Sequence, residues 1–356
     1  MHRLHPLRRR PVRPLLTILL STTLSLSAPA QHTTVPSEHT TVPSEPTTDP
    51  TEHITPSPAP ATYPWTGQAP DDVIRNALTP DLVLNETPGN WRPILHQLYA
   101  PLIRHCKTAR EAVLTIASGI TQTTGIHYTR QRRTPCMSAL EALHEKKVSC
   151  TGQSIFLACA LRSVGIPARV VGIRTWHHIP GNHTWVEAWF DGSWHMIEAN
   201  ERDFNTPWVM EYITLIDPTR PEQRIYAAQT DPSAHHLPIG RPHAAPVPST
   251  DVTDRYLKLA REHTPDLPAG TQRLLIDIQP RPEHPLTIEL LDEHGTIIAT
   301  ALLPTASDDM RRLTPFNLPR RGHHTLRLRG TTRTLPITPT PSITQILRLT
   351  PPPQGN

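Results

Sequence analysis

The sequence predicts an α+β chain in which helices come first, an antiparallel strand meander follows, and a small all-β sandwich closes the chain. Three observations carry this. From Asp71 to about residue 126, apolar residues recur at spacings of three and four. "ARVVGI" and "HTWVEAWFDGSWHMIEA" then read as strands, the latter a hairpin around a D-G turn. Beyond residue 268, short alternating or apolar runs are separated by Pro and Gly.

Taken in order, residues 1–30 read as a signal peptide: the basic "MHRLHPLRRRPVRP", a short apolar "LLTILLSTTLSLS", and Ala28-Pro29-Ala30 as a small-residue cleavage pattern. The expected location is therefore exported: periplasmic, secreted or attached to the cell envelope. Residues 31–66, with the repeated "HTTVPSE", hold almost nothing that could be buried and read as a disordered Pro/Thr-rich linker. Residues 67–240 form the expected catalytic domain. It opens with helices over "DDVIRNALT", "NWRPILHQLYAPLIRHC" and "TAREAVLTIASGITQTTG". "SALEALHEKK" is a further short helix, with Ser138 and Glu141 in capping-box spacing. "SCTGQSIFLACALRSVGIP" is a helix bounded by Gly165 and Pro167. Residues 241–267 are expected to be a linker with a short helix. Residues 268–352 are expected to be the sandwich, with "TIELLDEHGTII" as a hairpin turning at Gly295.

Composition excludes several functions. The formal charge of +4 is scattered, without a Lys/Arg stripe and interleaved aromatics, so no nucleic-acid partner is expected. The 21 histidines include His177-His178, His235-His236 and His323-His324, but these pairs lack a third ligand at helical or hairpin spacing. No metal and no cofactor are expected. The C-terminal domain is available to a cell-envelope polymer or another protein as a partner. Cys106, Cys136 and Cys159 leave room for one disulfide, Cys106–Cys136 being the favoured pair, if Cys150 is kept as a thiol.

The chemistry lies in two segments. Cys150 is at a helix start, where unpaired N–H groups favour a thiolate, whereas Cys159 lies well inside an apolar helix and reads as packing. His183 begins a strand and is the candidate base. Side-chain alternation along "HTWVEAWF" puts His183, Trp185, Glu187 and Trp189 on one face. If Asp191-Gly192 is a two-residue turn, Phe190 faces Ser193, Asn200 is opposite His183 and Glu198 is its same-face diagonal neighbour. A three-residue loop puts Glu201 opposite instead. Glu198 ranks first as the acid, with Glu201 and Asn200 as alternates. Trp176, in the loop "TWHHIPGN", is the candidate cleft wall, and the hairpin tryptophans read as core.

"SCTGQSIFLACALRSVGIPARVVGI" followed by "GNHTWVEAWFDGSWHMIEANE" resembles the core of the transglutaminase-like superfamily, in its bacterial exported branch. The resemblance covers roughly residues 90–210. It implies a papain-like α+β core, helices packed on an antiparallel sheet, with a Cys-His-Asp triad. Carried over, Cys150 is the nucleophile, His183 the base, and Glu198 stands four residues after Trp194, where the aspartate is expected. The "EANE" ending resembles a subgroup with a recurring glutamate at the Glu201 position. Transglutaminases often use an upstream Trp N–H at the oxyanion, but no Trp lies between Trp91 and Cys150. The Cys150 backbone N–H is one expected donor and Tyr128 a second candidate. The resemblance implies acyl transfer through a Cys thioester on a peptide or protein substrate, as a cysteine protease or amidase or by transamidation. The competing reading is an inert exported scaffold or binding protein. No calcium-ligand loop is visible.

Overall fold

The computed structural model describes residues 63–240, 244–332 and 334–350. The expected signal peptide, and the expected linker as far as residue 62, lie outside the described residues. Folded packing begins slightly before residue 67, because Trp65 is buried and its Nε1 donates to the Val164 carbonyl at 3.0 Å.

The first half is helical: α1 (Asp71–Ala77), α2 (Trp91–Ile103), α3 (Ala109–Ser118) and α4 (Ile120–Thr124). Two short parallel strands, β1 (His127–Tyr128) and β2 (Lys147–Val148), flank α5 (Ala139–Glu145). Ser138 and Glu141 form the capping box at the start of α5. Then comes α6 (Cys150–Ser163), in which every residue from Ser154 to Arg162 is buried. A helix apolar on nearly all sides belongs at the centre of a core, and α6 packs on α2, on β3 (Ala168–Ile173) and on β4 (His183–Phe190). Arg162 is the exception that the surroundings satisfy. Its guanidinium donates to the carbonyls of Ala168, Pro80 and Leu82 at 2.8, 3.0 and 2.9 Å, and burial lowers its pKa to about 10.

The remaining core elements are β5 (Ser193–Ile197), α7 (Pro207–Ile213), β6 (Ile225–Ala228), β7 (His235–His236), β8 (Pro248–Asp251) and α8 (Thr253–His263). Strands β3 to β8 make one six-stranded sheet of order β5-β4-β3-β6-β8-β7, antiparallel throughout. Residues 244–267, expected as a linker with a short helix, hold that helix as α8 but also β8, a strand of the core sheet. Alternation along β4 divides the sheet's two faces. Val186, Ala188 and Phe190 join α2, α3 and α6 in one core, while Trp185 joins α7, α8, Leu275 and Leu313 in a second.

The C-terminal part holds β9 (Thr271–Ile278), β10 (Thr287–Leu291), β11 (Ile297–Leu302), β12 (Thr314–Pro319), β13 (His324–Leu328), β14 (Thr334–Ile337) and β15 (Thr344–Leu349). They form two sheets, β11-β10-β13-β14 and β12-β9-β15, antiparallel except for the β9–β15 pair. Leu274, Ile276, Leu290, Phe316, Leu318 and Leu326 fill the space between them as a sandwich core. The β10–β11 hairpin turns at Gly295, with φ of 80°. The unforeseen strands β12 and β14 carry prolines. Each pairs on one side only, which is where a strand accepts a residue without an N–H.

One buried charge ties the sheet to its far-side helix. Glu187 of β4 is fully buried and accepts from Arg169 Nε of β3 at 2.9 Å and from Arg255 of α8. Burial alone would raise its pKa; Arg169, then Arg255, outweigh that and hold it below the ordinary value. A depressed carboxylate adds stability above the unfolded-state pKa of about 4.3, and that contribution is lost as pH falls through the folded-state value. Glu187→Gln should therefore cost about 3 kcal/mol at neutral pH by urea denaturation, with the gap to the native chain narrowing below about pH 4. Equal stabilities at neutral pH would show that the carboxylate contributes nothing net.

Candidate active site

Cys150 is the first residue of α6. Ser149 caps the helix, its Oγ accepting from Gly152 N at 3.0 Å and donating to the Pro135 carbonyl at 2.6 Å. Gly152 is required by close approach: a Cβ there would stand 2.9 Å from Val148 Cβ. The helix start is thus pinned against β2, and the partly exposed thiol sits among first-turn N–H groups without acceptors in the helix. Cys159, nine residues on, is fully buried, and burial pushes its thiol pKa up. Among the described residues, which include all four cysteines, no disulfide forms, including Cys106–Cys136, the pair that sequence favours if one is made.

His183 opens β4. Its neighbour Thr184 links β4 to α6, donating to Thr151 Oγ1 at 3.4 Å and accepting from Ser154 Oγ at 3.3 Å. Asp191 and Gly192 have φ of 51° and 73°, the two-residue turn with both central residues left-handed. Phe190 faces Ser193, and the register runs without a shift to Val186 opposite Ile197. Glu198 lies just beyond the end of β5, and its Oε1 accepts from His183 Nε2 at 2.7 Å. Asn200 is turned elsewhere. Its Oδ1 accepts from Thr121 N at 2.9 Å and its own N–H donates to the Ala117 carbonyl at 2.7 Å. Glu201 lines the same cleft but faces Arg312, 3.5 Å away. Of the three candidates ranked from sequence for this role, only Glu198 meets the imidazole.

With Nε2 held by Glu198, Nδ1 is the nitrogen left to face the thiol. Cys150 Sγ, a ring nitrogen of His183 and a carboxylate oxygen of Asp309 all lie within 4.8 Å of one another. Asp309 comes from the loop between β11 and β12, with Oδ2 3.4 Å from His183 Nδ1 and Oδ1 accepting from Arg311 N at 2.8 Å. The two atoms are close but not aligned for a hydrogen bond, and the buried Nδ1 has none. Burial favours the neutral ring, but Glu198 and then Asp309 outweigh it and hold the His183 pKa well above the imidazole range. The same partnership lowers Asp309: burial works against its charge, and His183 overcomes it.

Tyr128 lines this cleft, and its hydroxyl accepts from Met310 N at 3.3 Å. Burial, then the charges of Asp309 and Cys150, push its pKa up to about 12, so it stays protonated as a donor. Trp176, expected as the cleft wall, is instead 2% exposed and packs against Trp185 and Tyr212 in the second core. Trp208 of α7 lines the cleft in its place, its ring centroid 4.7 Å from that of His183. Sequence reasoning missed Trp208 and Asp309. A Thr-Pro helix start just past the "EANE" hairpin end signalled the first; nothing local in an all-β stretch signalled the second.

No helix among the described residues is long and apolar enough to cross a membrane. A comparison with curated proteins by sequence gave no match. Among solved structures the chain is similar to a protein of Cytophaga hutchinsonii assigned as a cysteine protease, at 16% identity over 46% of this chain and 61% of that one, with a TM-score of 0.29. It is also similar to the periplasmic domain of TgpA from Pseudomonas aeruginosa (20% identity, 39% and 50% of the two chains, TM-score 0.25). A third is red sea bream transglutaminase (10% identity, 70% and 58%, TM-score 0.33). The chain spans less than two thirds of each of these three. Residues 96–199 match the family model described as the transglutaminase-like superfamily. That stretch holds α6, β3, β4 and β5 with Cys150, His183 and Glu198, so this core of the chain is similar to the transglutaminase-like superfamily.

Proposed function

We propose that this chain is an exported thiol-dependent acyl-transfer enzyme that opens peptide or protein amide bonds through a Cys150 thioester, with hydrolysis as its main outcome. The observation that carries the reading is the relay itself: a thiol at a helix start, and a buried imidazole with one nitrogen fixed on Glu198 and the other turned to the thiol. In the first step the Cys150 thiolate attacks the amide carbon. The carbonyl oxygen takes the negative charge and is held by the Cys150 backbone N–H and the Tyr128 hydroxyl. His183 passes its Nδ1 proton to the departing nitrogen, and the C–N bond breaks to leave the thioester. The neutral ring then removes a proton from water, whose oxygen displaces sulfur and gives the carboxylic acid and the thiol. A primary amine in place of that water would give transamidation. Throughout, Glu198 fixes the tautomer and stabilises the imidazolium.

Export rests on the N-terminal basic and apolar segments. The β11–β12 loop, which lines one side of the cleft with Ser307 to Asp309 and Arg312, would select the substrate, and the C-terminal sheets would hold a partner in the cell envelope.

A time course on peptide and glutamine-donor substrates, with and without an amine, compares the native chain with Cys150→Ala. Turnover that disappears with the thiol is expected, with acid as the main product even when amine is present. No turnover by either chain, together with a Cys150 no more reactive toward a thiol probe than free cysteine, would favour the inert scaffold. Replacing the acid gives a graded result. Glu198→Gln should lower kcat by about 10²–10⁴-fold with little change in KM, and Glu198→Asp should recover part of the loss. An equal loss in Glu201→Gln would move the acid's role to Glu201.

A further inference from the structure

We propose that Cys150, His183 and Asp309 form a zinc site that bridges the core and the C-terminal sheets, and that Zn²⁺ held there switches off the thiol. The inhibitory half rests on the acyl-transfer reading; the binding half stands by itself.

The ligand set is the first argument. A thiolate, an imidazole nitrogen and a carboxylate are donors that zinc takes together, whereas magnesium and calcium prefer oxygen alone. Their atoms lie within 4.8 Å of one another, and the Nδ1–Oδ2 pair is already at 3.4 Å. Zinc bonds of about 2.0–2.3 Å in a tetrahedron put neighbouring ligands roughly 3.3–3.8 Å apart. The site therefore needs a contraction of about an ångström at most, which side-chain rotation supplies.

The surroundings supply the second argument. Metal-bound histidines commonly donate their other ring N–H to a carboxylate, which fixes the ligating nitrogen. His183 does this through Nε2 to Glu198 at 2.7 Å. Its Nδ1 is buried and lacks an aligned hydrogen bond. Of the nearby cations, Arg281 and Arg312 are engaged elsewhere, whereas Arg311 acts on Asp309 through its charge. Arg281 donates to the carbonyls of Asp309 and Arg312, both at 2.6 Å, and Arg312 lies 3.5 Å from both Glu201 and Asp308. Arg311 packs over Gly181, where a Cβ would stand 2.0 Å from its Nη2. Zn²⁺ would displace the thiol proton and the Nδ1 proton to solvent. The dication is then balanced by the thiolate and Asp309, and the cleft beside Tyr128 leaves a fourth position for water.

Asp309 carries the novelty, because it brings a ligand from a different sheet system to the thiol. Its loop is anchored for this: Tyr212 Oη donates to the Arg311 carbonyl at 3.0 Å and accepts from Leu313 N at 3.2 Å.

The test titrates the metal-free full chain with Co²⁺ and then with Zn²⁺. A thiolate-to-cobalt charge-transfer band with tetrahedral d–d absorption is expected, both lost as Zn²⁺ displaces Co²⁺. Cys150→Ala should abolish the charge-transfer band. Asp309→Ala and the isosteric Asp309→Asn should each weaken Zn²⁺ at least about 10-fold, and Glu198→Gln about 10–100-fold; Asp308→Asn should leave it unchanged. In parallel, Zn²⁺ should protect Cys150 from a thiol probe in the native chain. Neither readout needs a substrate, so the result is independent of whether the chain hydrolyses amides. A charge-transfer band that survives Cys150→Ala, or affinity unmoved in both Asp309 variants, would overturn the site. Metal binding without protection of Cys150 would overturn the switch.

Discussion

The site depends on a two-residue turn. Asp191 and Gly192 both take left-handed φ, and this turn matches the twist of the strands it joins. Phe190 therefore faces Ser193, and every pair below it follows. Strand side chains alternate, so a slip of one residue would exchange the faces of β5. It would take Met196 out of the core on the α7 side and carry Glu198 away from His183. The neighbouring β3–β4 register sets Arg169 opposite Glu187, and with Arg255 of α8 it matches the full burial of that carboxylate by two guanidinium groups. Two registers of one strand thus fix the His183–Glu198 contact and a structural one about 14 Å away along β4, four residues at about 3.4 Å each.

The second constraint is the position of α6. Its burial makes it the axis of the core, and its two ends do different work. At the C-terminal end, Arg162 gathers carbonyls from the segment before α2 and from the start of β3. At the N-terminal end, Ser149 and Gly152 hold the helix start close to β2 and Pro135. Cys150 and His183 approach from opposite sides of the sheet. α6 lies on the face with Val186, whereas His183 shares the alternation of Trp185 on the face toward α7. They meet because His183 is the first residue of its strand, where the sheet no longer separates the two sides.

What could be read from the sequence follows from what is local. Ser138 with Glu141, Cys150 before an apolar helix, and the D-G turn are patterns confined to a few residues, and each forms as the pattern predicts. Glu198 was legible for the same reason: once the turn is known, strand geometry carries the argument from Phe190 to His183. Where packing between distant segments decides, the reading fails. Trp176 looked like a loop residue open to the cleft, but Trp185 and Tyr212 claim its ring. β8 sits after a proline-rich stretch that reads as linker, yet pairing with β6 makes it part of the core sheet. Asp309 had no signal, because its role depends on how the sandwich docks against α7.

That docking changes the electrostatics of the site. A Cys-His pair oriented by one carboxylate is balanced when the imidazolium faces the thiolate, with the acid behind it. Here a second carboxylate enters on the thiol's side of the ring, buried and held below its ordinary pKa. Three groups that can be negative then surround one that can be positive, in a place from which water is largely removed and charge interactions are strong. Asp309 and the Cys150 thiolate compete for the same ring proton, and a cation at their meeting point relieves the competition. The sandwich is consequently more than an appended module. Its β11–β12 loop adds a carboxylate beside the thiol, and Tyr212, bonded to that loop, packs beside Trp176 and Trp208, whose ring lies 4.7 Å from the imidazole.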